Sequence, residues 1–411
     1  MRKFDWLDTD LRTYVAGMLQ SQMPRGRGEL AYRTVPMGMS RSEVQGRHHV
    51  VFVAYYPYPH AIKKSIALRR TGRYFTTFIA CCIREDVEIL RWFDQAFEIE
   101  RYSELFDLLE TACPAAISVQ IQPSALGAVV LEAAGDARVV ADVNDSSLFM
   151  EQDRESAACR LERAVLQRAR AFSHKMPPEA VKEIRAAWGT RTPDCEVHSL
   201  PVRELFTEGS SEFASPYRLV YAGGVMPYAI ARSQGHGNHV FDPLIRQAAA
   251  QGIELTIMAN QNARNMHWEE HDRYMAMQEE HPGFRFQKGV PFHRLPEAVR
   301  NFHFGLLYDN LEESSYREEL YRYNVSTKIF SYLEAGLPIL IHDHFTHMAE
   351  IVERCGIGLV YELDRISQLR ERIQGCDYAA MKKNVHRFRD EHELAGVLPD
   401  LETLYGTDHD H

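Results

Sequence analysis

The stretch YNVSTKIFSYLEAGLPILIHD (323–343) gathers residues with a shared chemical use. Ser326, Thr327 and Lys328 stand in a row at the head of a helical pattern. Ser326 is a good N-cap, Ile329, Phe330 and Leu333 make a buried stripe, and Thr327, Ser331 and Glu334 fall on another face at helical spacing. Gly336 stops the helix and Pro338 opens the next strand. The unpaired N–H groups of a helix start suit a phosphate, whereas a first-turn lysine opposes the helix dipole. An anion bound there would offset that cost; the plainer reading of Lys328 is a solvated surface lysine.

Two further clusters follow apolar runs. YPYPHAIKKS (56–65) brings tyrosines, His60 and two lysines after HVVFVAYY (49–56). Aromatic rings stack on sugar faces, although Tyr-Pro repeats also make ordinary turns. VNDSS (143–147) follows RVVAD; Asp145 ranks ahead of Asp142 as a polar candidate, and the competing role of Asp145 is a helix N-cap. His174 in SHK (173–175) ends another apolar run. The Asp/His-rich IHDHFTH (341–347) and the terminal DHDH match no definite ligand spacing, so no metal is assigned.

Short catalytic strings exclude other chemistries. No GxGxxG follows a strand; the nearest glycine pair, AGGVMP (222–227), lacks the third Gly. GxxxxGK[ST] and GxSxG do not occur either.

The elements that must position these residues alternate between apolar runs and helical stretches. Strands are expected at 49–56, 74–82, 96–100, 116–122, 138–143, 171–174 and 195–200, with helices near 62–70, 103–112, 124–134, 149–170 and 178–188. The grammar restarts after 207–217, a small polar stretch read as a linker: 218–225, 253–260, 284–290, 302–309, 338–343 and 356–362 are strands, with helices between. Near-continuous apolar strands separated by helices mean parallel sheets covered on both faces. The chain therefore divides into a 1–46 extension, a domain over 47–206, the linker 207–217, a domain over 218–375, and a 376–411 helix and tail that packs back on the first domain. Two doubly wound α/β domains would face each other across a cleft at the carboxyl ends of their strands.

At 411 residues two domains are the default, and 45% hydrophobic with 25% charged residues is globular. A net charge of −10 without a dense Lys/Arg stripe argues against a nucleic-acid partner. Seven cysteines without a CxxC fit reduced thiols in a cytoplasm. No window is apolar enough to span a bilayer, so membrane contact would be peripheral. The oligomeric state is not written in the sequence.

STKIFSYLEAGLPIL resembles the signature of the large retaining glycosyltransferase family of GT-B fold (the group 1, or family 4-like, enzymes). VYAGGV (220–225) is similar to that family's opening strand of the C-terminal domain, FRFQKGVPFHRLPEAVRNFHFGLLY (284–308) to its nucleobase block, and CEVHSLPVRELF (195–206) to its crossing segment. The resemblance is specific in the C-terminal half and topological in the N-terminal half. It implies two Rossmann-like domains and transfer of a sugar from a nucleoside-diphosphate sugar to a glycan, lipid-linked or protein acceptor. Retention, no metal, no cofactor beyond the donor, and a place in glycan or polysaccharide biosynthesis go with it.

By the same resemblance the base lies against Gly289, Val290 and Pro291. The diphosphate lies over Asn324, Val325, Ser326 and Thr327, near Gly223 and Gly224, with Lys328 and Arg232 neutralising charge. The family's ribose-binding Glu falls on Ser331, and Glu334, one turn on, is the substitute candidate against the role of an exposed helix glutamate. Asp145 and His60 are the bases an inverting course would need. An insert, YDNLEESSYREELYRYN (308–324), has no family counterpart and reads as a lid, a solvated excursion or a partner contact. An epimerase of the same fold, or a binding subunit that has lost catalysis, are the alternative functions.

Overall fold

The computed structural model describes residues 4–20, 44, 46–81, 83, 88–209, 212–233, 235–260 and 268–406. The chain forms two compact units, residues 1–199 with 395–411, and 200–394.

In the first unit, strands β1 (His48–Ala54), β2 (Tyr74–Ala80), β3 (Gln95–Glu98), β4 (Ala116–Gln120), β5 (Arg138–Val143), β6 (Ala171–His174) and β7 (Asp194–Glu196) make one sheet. Its order is β3-β2-β1-β4-β5-β6-β7, parallel throughout. The run VVFVA of β1 is buried residue after residue, as a strand covered on both faces must be. The order reverses between β1 and β4, and ligand crevices of doubly wound sheets open at the carboxyl ends of such a pair. β7 is shorter than the apolar run 195–200 suggests: it ends at Glu196, and the chain leaves the sheet.

The N-terminal helix Thr9–Gln20 lies on this unit, with Leu11 and Val15 buried and Trp6 Nε1 donating to Glu132 Oε2 at 3.0 Å. The rest of the 1–46 extension, apart from residues 4–8, 44 and 46, lies outside the described residues, as does the terminal DHDH. The helix Leu398–Tyr405 also belongs here: Tyr405 Oη donates to Ser118 Oγ at 2.9 Å, and Arg138 Nε donates to the Leu404 carbonyl at 2.7 Å.

The second unit carries β8 (Arg218–Gly224), β9 (Glu254–Asn260), β10 (Phe284–Lys288), β11 (Phe304–Leu307), β12 (Ile339–His342) and β13 (Gly358–Tyr361). Their order, β10-β9-β8-β11-β12-β13, is again parallel and reverses between β8 and β11. The stretch 207–217 is polar by composition, but its described residues pack as part of this unit. Thr207 N donates to the Glu334 carbonyl at 2.9 Å, the Glu212 carbonyl pairs with His303 Nε2 at 2.9 Å, and Phe213 stacks on Tyr378 at 4.0 Å. Backbone groups and one ring dock it, so a shortage of aliphatic residues did not mean a free linker.

Candidate functional site

The switch point of the second sheet is closed by Tyr332. It lies on the helix Lys328–Glu334 and is fully buried. Its hydroxyl accepts from Ala222 N at 2.8 Å and donates to the Leu306 carbonyl at 3.2 Å, so one phenol joins the carboxyl ends of β8 and β11. The ring fills the space above Gly305, where any Cβ would collide with it. Sequence reading missed Tyr332; the absence of a side chain at Gly305 was the available signal.

Beyond Ala222 the strand ends in Gly223 and Gly224. The side chain of Lys328 lies across Gly223, so a Cβ there would overlap its Cε and Cδ, and its Nζ stands 5.1 Å from the centre of the Tyr221 ring. Bare backbone and a lysine therefore meet at the carboxyl ends of the reversing strands. On the other side of Gly224, His239 Nδ1 lies 3.1 Å from its carbonyl oxygen.

The loop Asn324–Val325–Ser326–Thr327 precedes this helix. Val325 is buried in the core, Ser326 N donates to Met348 Sδ at 3.1 Å, and Lys328 N donates to Ser326 Oγ at 3.4 Å. The N-cap residue is Thr327, without a side-chain cap bond, and Ser326 serves the turn through its carbonyl to Ile329 N at 3.3 Å. Asn324 ends the short helix Glu318–Tyr323 in an extended conformation.

Ser331 is buried, and so is Glu334. Glu334 is not an exposed helix residue: its Oε1 accepts from Val202 N at 2.8 Å, and its carbonyl takes Thr207 N. From Ile329 to Glu334 the helix is buried because the sheet lies on one face and the helix Tyr378–Glu391 on another, from which Arg389 Nη1 reaches the Glu334 carbonyl at 3.4 Å; only Lys328 is partly exposed. A two-faced sequence pattern thus belongs to a helix covered on both faces beyond its first residue. Gly289, Val290 and Pro291 follow β10, where Gly289 N donates to the Ala259 carbonyl at 2.7 Å and Pro291 starts the turn Phe292–Arg294.

Arg232 is exposed: its Nε lies 2.9 Å from Glu313 Oε2, and its Nη1 donates to Tyr228 Oη at 2.9 Å. Glu313 belongs to the 308–324 insert, which is docked rather than solvated. Ser315 N donates to the Gly235 carbonyl at 2.9 Å, Tyr316 Oη lies 3.0 Å from His236 Nδ1, and Gly237 lets the Glu313 backbone approach where a Cβ would collide. The insert straps the loop that follows β8.

In the first unit His60, Lys64 and Asp142 form a buried polar cluster at the ends of β5 and β6. Lys64 Nζ lies 3.0 Å from Asp142 Oδ2 and donates to Ser173 Oγ at 2.9 Å. His60 Nδ1 lies 2.7 Å from Ser199 Oγ, and its Nε2 is 3.2 Å from Asp142 Oδ1 without hydrogen-bond alignment. Burial and then the Lys64 charge push the imidazole down to about 4. Burial opposes ionisation of Asp142, but Lys64 and His60 outweigh it and hold the carboxyl below its ordinary range. His60 is therefore a neutral ring beside a Lys64–Asp142 ion pair, enclosed by protein.

Asp145 is partly exposed, 3.6 Å from Lys175 Nζ. It is not the helix cap: Ser146 caps Ser147–Met150 by accepting from Leu148 N. His174 turns to Asp194, with 3.2 Å between Nε2 and Oδ2. Tyr56 and Tyr58 lie close together after β1, ring centres 3.6 Å apart. His342, in the Asp/His-rich string, is a core residue whose imidazole burial pushes down to about 3. Among the described residues no helix is long and apolar enough to cross a membrane.

Residues 255–393 match the family model described as glucosyltransferase 3-like, C-terminal domain. HepE from Anabaena, solved in complex with UDP-glucose, is a structural neighbour with a TM-score of 0.64 at 12% identity, covering 87% of this chain and 100% of its own. Sucrose-phosphate synthase from Thermosynechococcus elongatus gives 0.62 at 12% identity over 87% of this chain and 98% of its own. A trehalose-6-phosphate synthase, studied for glycosyltransfer with retention, gives 0.55 at 9% identity over 86% and 99%. The chain has the GT-B fold, two doubly wound α/β units, and its second unit contains a segment similar to the C-terminal domain of glucosyltransferase 3.

Proposed function

We propose that this chain is a glycosyltransferase that moves a sugar from a nucleoside-diphosphate sugar to an acceptor hydroxyl. The observation that carries this reading is Lys328 laid over Gly223 at the switch point of the second sheet. A cation over bare backbone at strand ends suits a diphosphate, whose charge grows as the sugar departs. The glucosyltransferase 3-like match and the UDP-glucose bound to HepE support UDP-glucose as the first donor to try.

A retaining course needs no protein base or nucleophile; the departing phosphate guides the acceptor hydroxyl, and the protein positions both substrates. The enclosed His60 is poorly placed as a base, which leaves Asp145 as the base an inverting course would use. Lys328 supplies the charge neutralisation otherwise assigned to a metal. Asp145 and the Tyr56–Tyr58 pair, at the strand ends of the first unit, are the acceptor-side candidates. Glycan, lipid-linked and protein acceptors all fit this chemistry, with glycan or polysaccharide biosynthesis as the setting.

A panel of UDP-, GDP- and ADP-sugars, assayed by thermal shift and by nucleotide release, tests the reading. Ligand at about 100 times its dissociation constant adds roughly 2.7 kcal/mol of stability. A shift with one nucleotide, lost in Lys328→Ala, with release that depends on an added acceptor, supports transfer. Binding without release under any acceptor favours a second reading, a subunit that binds without catalysis. The burial of Ser331 at the expected ribose position, with Glu334 committed to Val202 N, is the feature that points that way.

A further inference from the structure

Three side chains at the carboxyl ends of β5 and β6 hold polar atoms that meet no hydrogen-bond partner among the described residues. Asn144 follows β5 and is 7% exposed, and its Oδ1 is one of them. The buried Oδ1 of Asp145, next in the chain, is the second. Lys175 follows β6 and is 6% exposed; its Nζ makes no hydrogen bond among the described residues and faces Asp145 Oδ1 at 3.6 Å. Val143 and His174 are register partners, so Asn144 and Lys175 leave neighbouring strands side by side.

The backbone beneath these groups is fixed without their help. Gln122 Nε2 donates to the Asp145 carbonyl, Ser146 Oγ donates to the buried Glu162, and Ser147 N donates to Glu162 Oε2 at 2.6 Å. Trp188 Nε1 holds Glu162 in turn, at 3.1 Å from its Oε1. A buried polar group left unpaired costs free energy, so three together mark a surface shaped for a ligand rather than for the fold.

The count of donors and acceptors says which ligand. Lys175 gives hydrogen bonds, Asp145 and Asn144 Oδ1 take them, and the charges of lysine and aspartate cancel. A hydroxyl oxygen about 2.8 Å from both Nζ and Oδ1 bridges their 3.6 Å gap, accepting from one and donating to the other. A hydroxyl on the adjacent carbon can then donate to Asn144. A phosphate or carboxylate at Lys175 would lie against the Asp145 carboxylate, and like charges at that distance repel. We infer, resting on the transfer reading above, that the acceptor is a neutral sugar held in the first unit by a pair of adjacent hydroxyls. Lys175 and Asn144 bind it, with Asp145, in preference to phosphorylated or acidic sugars. Binding changes no covalent bond.

Two measurements on the full chain test this. Nucleotide release from UDP-glucose, or from whichever donor the panel identifies, is followed with methyl glucoside, methyl galactoside, maltose and N-acetylglucosamine, and with glucose 6-phosphate and glucuronic acid. Saturation-transfer NMR with the same sugars reads their binding without any donor. Neutral sugars are expected to stimulate release and to receive saturation; the two acidic ones do neither. Lys175→Met and Asn144→Ala are each expected to raise the acceptor KM about tenfold, the cost of one lost hydrogen bond in a site of this kind, and to leave the donor dissociation constant unchanged. Neither side chain is hydrogen-bonded within the fold, so the melting temperatures of both variants should equal or exceed the wild-type value. Lowered melting temperatures with an unchanged acceptor KM would make both residues structural and overturn the proposal. If release is stimulated only by glucose 6-phosphate or glucuronic acid, the transfer reading stands and the neutral acceptor falls. If no nucleotide sugar binds, but a neutral sugar receives saturation that Lys175→Met abolishes, the transfer reading falls and the sugar site stands. Saturation of none of the neutral sugars overturns the site itself.

Discussion

Lys328 occupies the space where Gly223 lacks a side chain, so the first residue of a helix rests on the last turn of a strand more than a hundred residues earlier. The two positions are one unit. Gly223→Ala is expected to push the lysine aside and weaken UDP-glucose binding about as much as Lys328→Ala does. The rest of the unit stays folded, because the flexible end of the lysine can move. Binding titrations of both variants and the double variant check this; additive losses would mean the two residues act separately.

Tyr332 holds the switch point together through two hydrogen bonds. Tyr332→Phe keeps the packing but leaves Ala222 N and the Leu306 carbonyl without this partner. A loss of roughly 1–3 kcal/mol of unfolding free energy is expected. Chemical denaturation measures it, and a loss under about half a kcal/mol would show that water replaces the phenol.

Glu334 holds the Val202 N–H through its Oε1. Glu334→Ala strands the Val202 N–H and should destabilise the second unit by roughly 2–4 kcal/mol. The protein that remains folded should bind nucleotide with unchanged affinity. A specific loss of affinity for nucleotides over their ribose-modified analogues would restore Glu334 to the donor site.

Four imidazoles are pushed well down by burial: His49, His60 and His239 to about 4 and His342 to about 3. Each has a folded value below its unfolded one, so the unfolded chain binds more protons as the pH drops. The stability they permit is fully present above about pH 6.5 and is lost as the pH falls through about 4. Denaturant midpoints measured between those values should therefore decline steadily. His60→Gln should flatten the decline, since one such ring is worth up to about 3 kcal/mol over that range.

Much of the architecture is determined by the sequence alone. Runs such as VVFVA in β1 and LVYA in β8 are apolar without alternation, and that pattern fits only strands covered on both faces. The helix–Gly–Pro–strand grammar of 328–342 is equally local, because caps, stops and periodicity are written within a few residues. Tertiary structure decided the rest. Thr327, Ser331 and Glu334 lie on a polar stripe that reads as solvent-facing, yet Ser331 and Glu334 are buried, because the second cover comes from residues 378–391. His60 and Asp145 both follow apolar strands; only the folded chain encloses one beside Lys64 and leaves the other partly exposed. Arg232 and His239 share a loop, and it is the docked 308–324 segment, remote in sequence, that occupies the arginine and leaves the histidine at Gly224. Periodicity reports which side of an element is apolar. What covers that side, and which charge reaches which, depends on partners brought together across the chain.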